Sequence, residues 1–433
     1  MEKIHSTFSF MRGNVLVLTV CRILWTVSIS IAWPFFPLYI GALGGSAAEI
    51  GLVFALGGLA GLILYPVGGY IADHKGRVAL VATATYLFAL SFIPFIIAQN
   101  WVTLAIGYFT QQLVLFYMPA LNAVVADSLP PHQRGIGFAT VTAIPRAVGL
   151  FAPFIGGYLI DYIFGGGVEG LKAAMRISYT VGLAIGLLVA TLRLKFLRET
   201  LKKTDSSVPL RNIPLLLKTS YKHLFKSLKW MTQTLRSIAI IQLVVTLFAS
   251  IAAPFWVVYA AGENSIIGLT PYEWGFLMLI VGAIQIAVSI PLGYLVDLYG
   301  TRRTILLAML LAPVSIIIFP FCQTFLEVLS TLILLGLVNA LIWPSSTTLI
   351  ANAVPRNKRG RLLSILGQGL SLRWGRIWTS GFLPFIPTTI GSLLGGYIYT
   401  ADPQYPWFIL ALSLILCFIL SVRFIREPVE NEV

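Results

Sequence analysis

Three observations predict an all-α membrane protein, twelve transmembrane helices in two parallel-repeat six-helix bundles. The first is composition. Of 433 residues, 58% are hydrophobic and 11% are charged, against about 25% charged in soluble domains. Mean hydropathy is +0.88, and that much apolar surface needs lipid as its solvent. The second is an internal repeat. Residues 48–77 align without a gap with residues 272–301, at an offset of 224: Glu49 meets Glu273, Gly51 meets Gly275, Gly58 meets Gly282, Gly69 meets Gly293, Asp73 meets Asp297 and Gly76 meets Gly300. Repeats of this kind mark secondary transporters. The third is the placement of charge. Of the 30 Lys and Arg, 26 fall in loops on one side, Lys172 and Arg176 fall on the other, and Arg22 and Arg146 lie within spans. By the positive-inside rule the termini and the central linker are cytoplasmic, in a multi-pass protein of the cell membrane. The net charge of +14 is then a topology signal with anionic-lipid attraction as a secondary effect, and no nucleic-acid partner follows from it.

Twelve apolar runs can be drawn, near 14–40, 48–71, 79–98, 101–126, 136–162, 174–192, 238–261, 272–296, 304–321, 326–351, 377–399 and 405–422. Each is long enough to cross ~30 Å of hydrocarbon. The first run is too long for the apolar region of a signal peptide and lacks a small-residue cleavage site, so it reads as span 1. Pro34 and Tyr39 within it meet Pro254 and Tyr259 of span 7 at an offset of 220, and Arg22 meets Gln242. Spans 2 and 8 open on capping boxes, Ser46 with Glu49 and Thr270 with Glu273, which gives those glutamates a structural role. The end of span 4 repeats in span 10 at an offset of 225: Pro119 with Pro344, Pro130 with Pro355, Arg134 with Arg359 and Gly135 with Gly360. Parallel halves follow, with domains 1–197 and 237–433 and a basic linker at 198–236. Pro209 and Pro214 interrupt that linker. Its second part spaces Leu217, Tyr221, Leu224, Leu228 and Met231 at helical intervals, as expected of an amphipathic helix on the inner leaflet. One asymmetry stands out. From Arg134 to Gly156 is 22 residues, but from Arg359 to Gly395 is 36. The extra stretch, with Arg373 and Arg376, reads as an interfacial segment before span 11.

Several chemistries are excluded or unsupported. Cys21, Cys322 and Cys417 lie inside apolar runs and read as small core hydrophobes, with no disulfide framework or zinc spacing. His5, His74, His132 and His223 do not cluster into a metal site. There is no phosphate-binding loop, so ATP-driven pumping is not indicated, nor is any enzyme activity or cofactor.

The segment GGYIADHKGR at 68–77 resembles the loop between spans 2 and 3 of the major facilitator superfamily. Gly69, Asp73, Gly76 and Arg77 fit its pattern. Lys75 supplies charge one place late, His74 replaces the usual base and Val78 a later one. The second copy keeps Gly293, Asp297, Gly300, Arg302 and Arg303. The resemblance covers nearly the whole chain. It implies that the loop is a latch favouring the outward-open state, with Arg77 pairing with Asp127 at the end of span 4. Asn352 stands at the matching place in the second half, which implies a weaker latch there. Chemically, Gly69 permits close helix approach and Gly76 a tight turn. GLFAPFIGGY at 149–158 resembles the span 5 motif of the drug-antiporter branch. Gly149, Pro153, Gly156 and Gly157 fit, while Ala152 stands in place of a glycine. This implies export, and small residues let spans 5 and 8 pack closely.

The candidate substrate-binding residues are Arg22 and Arg146, with Gln111, Gln112, Tyr117 and Asn122 on span 4, Gln242 on span 7, Gln285 on span 8 and Asn339 on span 10. Trp25, Trp33, Trp256 and Trp343 are candidate aromatic walls. An arginine deep in a span faces a cavity or a partner, and no Asp or Glu lies comparably deep. The competing reading for Arg146 is a structural bond to carbonyls freed by Pro145. The function that emerges is a monomeric secondary transporter exporting small organic compounds by alternating access, with protons as candidate counter-ion. The alternative is an organic anion transporter, by uptake or facilitated flux, using the intramembrane arginines. A third class, a non-transporting receptor or scaffold, is disfavoured by the polar candidates within the spans.

Overall fold

The computed structural model describes residues 10–74, 76–130, 133–201, 213–228, 231–353 and 381–424, and between the last two blocks 362, 365–367, 369–370 and 372. Among these, the regular structure is helical apart from one isolated bridge between Ala261 and Leu269. The first six long helices are α1 (Asn14–Ala42), α2 (Ala47–Ala72), α3 (Val78–Ile97), α4 (Trp101–Ser128), α5 (Ile136–Ile163) and α6 (Gly167–Phe196). The linker helix α7 spans Ile213–Leu228. Then come α8 (Gln233–Ala260), α9 (Pro271–Tyr299), α10 (Thr301–Phe321) and α11 (Phe325–Ile350). The chain ends with α12 (Phe385–Ala401) and α13 (Tyr405–Phe424). Eleven of these helices are long and apolar enough to cross a membrane. α12, with 17 residues, is the shortest of those in the bundle.

Prolines shape several of them. Proline lacks an N–H and its ring crowds the preceding turn, so helices tighten or kink there. Short 3₁₀ turns occur at Trp33–Phe35 in α1, Leu115–Tyr117 in α4 and Gly149–Phe151 in α5, each containing or running into a proline. Pro254, the repeat partner of Pro34, likewise interrupts α8. The paired tyrosines also act alike: Tyr39 donates to the Phe95 carbonyl of α3 at 3.0 Å, and Tyr259 donates to the Pro320 carbonyl of α10 at 2.7 Å.

The first six helices pack mainly on one another, α6 against α1 and α3, α2 against α4 and α1 against α5. The later ones do likewise, α10 on α11 and α13, α8 on α12 and α13, and α9 on α11. Two seams join the groups, α2 with α12 and α5 with α9. Both use small residues, because in lipid a tight fit must replace the hydrophobic effect. A Cβ on Gly51 would lie 2.8 Å from the Gly396 Cα, and one on Gly275 would strike the Pro153 carbonyl. These contacts lie at the face away from the linker, here called the far face. Toward the linker face the second seam loosens: Gly293 lies about five turns along α9 from Gly275 on the same helix face, and a Cβ there would meet nothing within 4 Å.

Three expectations need correction. The linker helix forms, but its apolar side lies on protein rather than in lipid. Leu216 and Leu224 are buried in clusters with Val67 and Tyr65 of α2. Tyr221 donates to the Leu62 carbonyl and meets Phe382 edge-on at 5.7 Å. Pro214 opens this helix instead of interrupting it. In the stretch before α12 the described residues Leu362, Ile365, Leu366, Leu370 and Leu372 are at most 3% exposed, so they pack into protein instead of lying on a surface. Regular helix resumes at Phe385, later than the expected 377. Finally, α6 continues to Phe196, past the expected 192, so Arg193 stands in its last turn and not in a loop flanking the linker.

Candidate functional site

At the linker face the loop between α2 and α3 is tied down by charge. Gly76 has φ of +112°, a conformation open to glycine and rarely to other residues. Arg77 follows and forms an ion pair with Asp127. Its Nε donates to the Ala72 carbonyl and its Nη1 to Thr200 Oγ1, each at 3.2 Å. Glu199, which the sequence reading passed over, accepts from the Arg77 and Val78 backbone N–H groups at 2.9 and 3.0 Å. It also accepts from Thr200 and Leu201 N–H. Burial pushes the Glu199 carboxyl up, but these backbone hydrogen bonds outweigh it and hold the group below the ordinary carboxylate range. The available signal was a lone acid just past span 6 in a basic stretch.

The rest of the two-copy motif is not drawn together here. A Cβ on Gly69 or Gly293 would meet nothing within 4 Å, so neither glycine makes the close approach expected of it. Gly300, with φ of +84°, ends α9. Asp297 is exposed. The side chains of Asp73, Arg134 and Asn352, and all of Lys75, Pro209, Arg373 and Arg376, lie outside the described residues.

Among the described residues, the interior holds cations without acids. Arg22 lies a little under a third of the way along α1, and its Nη2 donates to Asn122 Oδ1 of α4 at 3.2 Å. Arg146 of α5 has an accessible side chain, and among the described residues it has no hydrogen bond or ion pair. Arg193 is the residue missed by sequence. It is 2% exposed, donates to Thr85 Oγ1 of α3 at 2.7 Å, and stands 5.9 Å from the centroid of the Tyr117 ring. Arg22 is within electrostatic reach of Arg146, Arg193 and Tyr117. Spans 1, 3, 4, 5 and 6 therefore bring Arg22, Tyr117, Asn122 and the two other arginines into one neighbourhood.

Other polar candidates serve elsewhere. Gln111 is buried with its Nε2 unpartnered. It faces a cavity of about 20 Å³, room for one water, lined also by Ser28, Trp33, Ser178 and Tyr179. Gln242 donates to the Leu366 carbonyl at 2.8 Å. Asn339 accepts from Leu372 N–H at 2.8 Å and donates to the Leu372 carbonyl. Both amides thus bond backbone ahead of α12, Gln242 at the helical Leu366 and Asn339 at the non-helical Leu372, whose polar groups need partners within the protein. They do not join the arginines. Trp25 and Trp256 pack against Phe88 and Phe319 rather than standing as free cavity walls.

At the far face Asp161, another residue not singled out by sequence, lies in a π-turn of α5 and crosses the seam. Its Oδ2 accepts from the Tyr272 N–H at 2.6 Å, at the start of α9. Beside it Thr270 and Glu273 complete the anticipated capping box.

Comparison with known proteins gives consistent findings. The family model described as Major Facilitator Superfamily matches residues 18–262 and 238–433. The chain is 24% identical over 412 residues to a protein named "Multi-drug resistance efflux pump PmrA homolog" from Lactococcus lactis, covering 92% of this chain and 93% of that one. It is 26% identical over 216 residues to the quinolone resistance protein NorA of Staphylococcus aureus, spanning about half of each, 49% and 52%. Among solved structures, the nucleoside transporter NupG superposes with a TM-score of 0.65 at 13% identity, covering 95% of this chain and 98% of that one. A human organic anion transporter superposes with a TM-score of 0.64 at 16% identity, covering 94% and 98%. At these identities the structural likenesses speak for the fold alone.

Proposed function

The chain belongs to the major facilitator superfamily, and on that premise we propose that it is a secondary transporter exporting small organic compounds by alternating access. In this reading α12 is the twelfth span, since 17 residues is the short end of what crosses a bilayer. Residues 1–197 and 237–433 are the two six-helix bundles, joined by the linker at 198–236. The termini and linker are cytoplasmic and the protein acts as a monomer.

One observation carries the mechanism. The α5–α9 seam is tight at the far face, where Gly275 abuts the Pro153 carbonyl, and open toward the linker face, where a Cβ on Gly293 would meet nothing within 4 Å. A seam closed at one end and loose at the other is what one of two alternating states requires. Export is supported by the name of the relative that matches 92% of the chain. A proton drive would act through carboxylates at helix ends, such as Asp161, because the described interior offers cations only. The test is uptake of ethidium into everted vesicles with an imposed acid interior. Protein-dependent uptake is expected, and uptake equal to that of vesicles lacking the protein would sink the export reading.

A second reading, organic anion transport, is favoured by Arg22 and Arg146. Arg22 has only a neutral hydrogen-bond partner, and Arg146 has none among the described residues. An anionic group of the substrate would supply the missing counter-charge.

A further inference from the structure

We infer that Arg193 sets the charge preference of the substrate site: a buried cation seated under Tyr117 that makes the face formed by Tyr117, Arg22 and Asn122 select an anionic oxygen group. The inference rests on the transport reading above and names the ligand chemistry of that site.

Arginine does not shed its proton in a protein, so the charge at Arg193 is permanent. It is 2% exposed, its Nη1 has the neutral Thr85 hydroxyl as acceptor, and its Nε has no partner among the described residues. Such a charge carries a desolvation cost unless something offsets it. Within the bundle it meets the neutral Cys21 thiol and the Tyr117 ring, 5.9 Å from guanidinium carbon to centroid. The interaction with the ring is attractive, and it has a direction. A cation on the ring draws electron density from the phenol and strengthens its O–H as a donor. The Tyr117 ring is buried, and its hydroxyl has no hydrogen bond among the described residues. Arg22, on the neighbouring helix, interacts electrostatically with Tyr117 and with Arg193. It is held by Asn122 through a single nitrogen, Nη2, and its remaining N–H groups are available. A strengthened phenol donor and a guanidinium edge, backed by a second fixed positive charge, suit a carboxylate or an inorganic anion. This face offers a cation no counter-charge, so a transported cation such as ethidium must be held by other groups. Arg193 itself touches no ligand; it acts through Tyr117 and through the field at Arg22.

The test uses the purified full-length chain and three matched probes followed by tryptophan fluorescence: 2-naphthoate, the neutral 2-naphthamide and the cationic 2-naphthylmethylammonium. Wild type should bind naphthoate about tenfold more tightly than naphthamide, the size expected for one charge-assisted hydrogen bond. Arg193→Gln should abolish most of that ratio while leaving naphthamide affinity unchanged, and Arg193→Lys should keep part of it. A merely structural Arg193 would lower all three affinities together. Should Arg193→Gln fail to fold, Tyr117→Phe keeps the ring over the cation and removes only the donor, and it too should erase the preference. Repeating the titrations with added phosphate and with added acetate separates the two sources of anion. Displacement of naphthoate by phosphate but not by acetate assigns the site to inorganic oxyanions, and displacement by acetate assigns it to an organic carboxylate. Equal binding of naphthoate and naphthamide by wild type, or an unchanged ratio in the folded variants, overturns the inference. Transport is scored separately. Naphthoate preference without ethidium uptake would defeat the export reading alone, and uptake without the preference would defeat the anion site alone.

Discussion

At the scale of single residues, the linker-face cluster separates stability from switching. Arg77 and Asp127 form an ion pair that is partly solvent-exposed, with Asp127 42% accessible. Pairs of that kind contribute roughly 0–1 kcal/mol, so Asp127→Asn should shift thermal unfolding only slightly. Its effect on transport should be larger under the proposed latch role, because a latch stabilises one conformational state over the other. A drop in transport that merely tracks lost protein in the membrane would count against a latch. The same logic makes the two motif aspartates unequal: Asp73→Asn should impair flux more than Asp297→Asn, and equal losses would refute the asymmetry. Glu199 adds a pH dependence whose sign can be worked out. Its folded-state acidity is strengthened, so its contribution is fully present above the unfolded pKa of about 4.3 and disappears as pH falls through the lower folded value. Wild type should therefore exceed Glu199→Gln in melting temperature near neutral pH, and the two should converge in acid. A gap that widens on acidification would show the sign to be wrong.

At the scale of helices, the α5–α9 seam is the element most exposed to a single added atom. A side chain at Gly275 meets the Pro153 carbonyl, and one at Gly157 meets the Pro271 carbonyl, and backbone of this kind cannot step aside as a side-chain tip can. Gly275→Leu should force the far ends of α5 and α9 apart and break the hydrogen bond from Tyr272 N–H to Asp161. Labelling of a cysteine placed at Phe154, half-buried against Tyr272 across the seam, by a reagent added from the far side should rise severalfold, and unchanged labelling would mean that the seam is not the far-face closure. Helix positions were legible because their signals are local. Prolines, capping boxes and hydropathy placed most boundaries within a few residues, and GLFAPFIGGY announced the close seam that Pro153 and Gly275 make. What was not legible depends on tertiary partners. Arg193 resembles the other basic residues around 193–203 until Thr85 and Tyr117 are seen beside it. The linker helix carries the amphipathic pattern of a lipid-surface helix, and no pattern within it says that α2 will cover its leucines. Gln242 and Asn339 look like cavity amides, yet the backbone of Leu366 and Leu372 claims them, because its polar groups need partners within the protein.

At the scale of the whole molecule, the repeat explains why two seams exist, and in the proposed alternating-access cycle they open together. Equivalent small residues line both: Gly51 of α2 meets α12, and its partner Gly275 of α9 meets α5. A rigid rotation of one bundle against the other loosens both far-face contacts at once, and a bond across either should block it. Phe154 of α5 and Tyr272 of α9 face each other there, ring centroids 5.3 Å apart. The chain's own cysteines, Cys21, Cys322 and Cys417, are buried, so background labelling should be low. Phe154→Cys combined with Tyr272→Cys, joined by a short reducible bis-thiol reagent, should hold the far face closed and stop ethidium transport, and reduction should restore it. Each single cysteine variant treated alike should retain transport. Ligand binding offers the second measurement. The locked protein should still bind from the linker face with near-normal affinity, since the loose end of the seam is untouched while the return stroke is prevented. Transport that continues after quantitative cross-linking would mean that the far-face seam does not open during the cycle, and the alternating-access reading would fall with it.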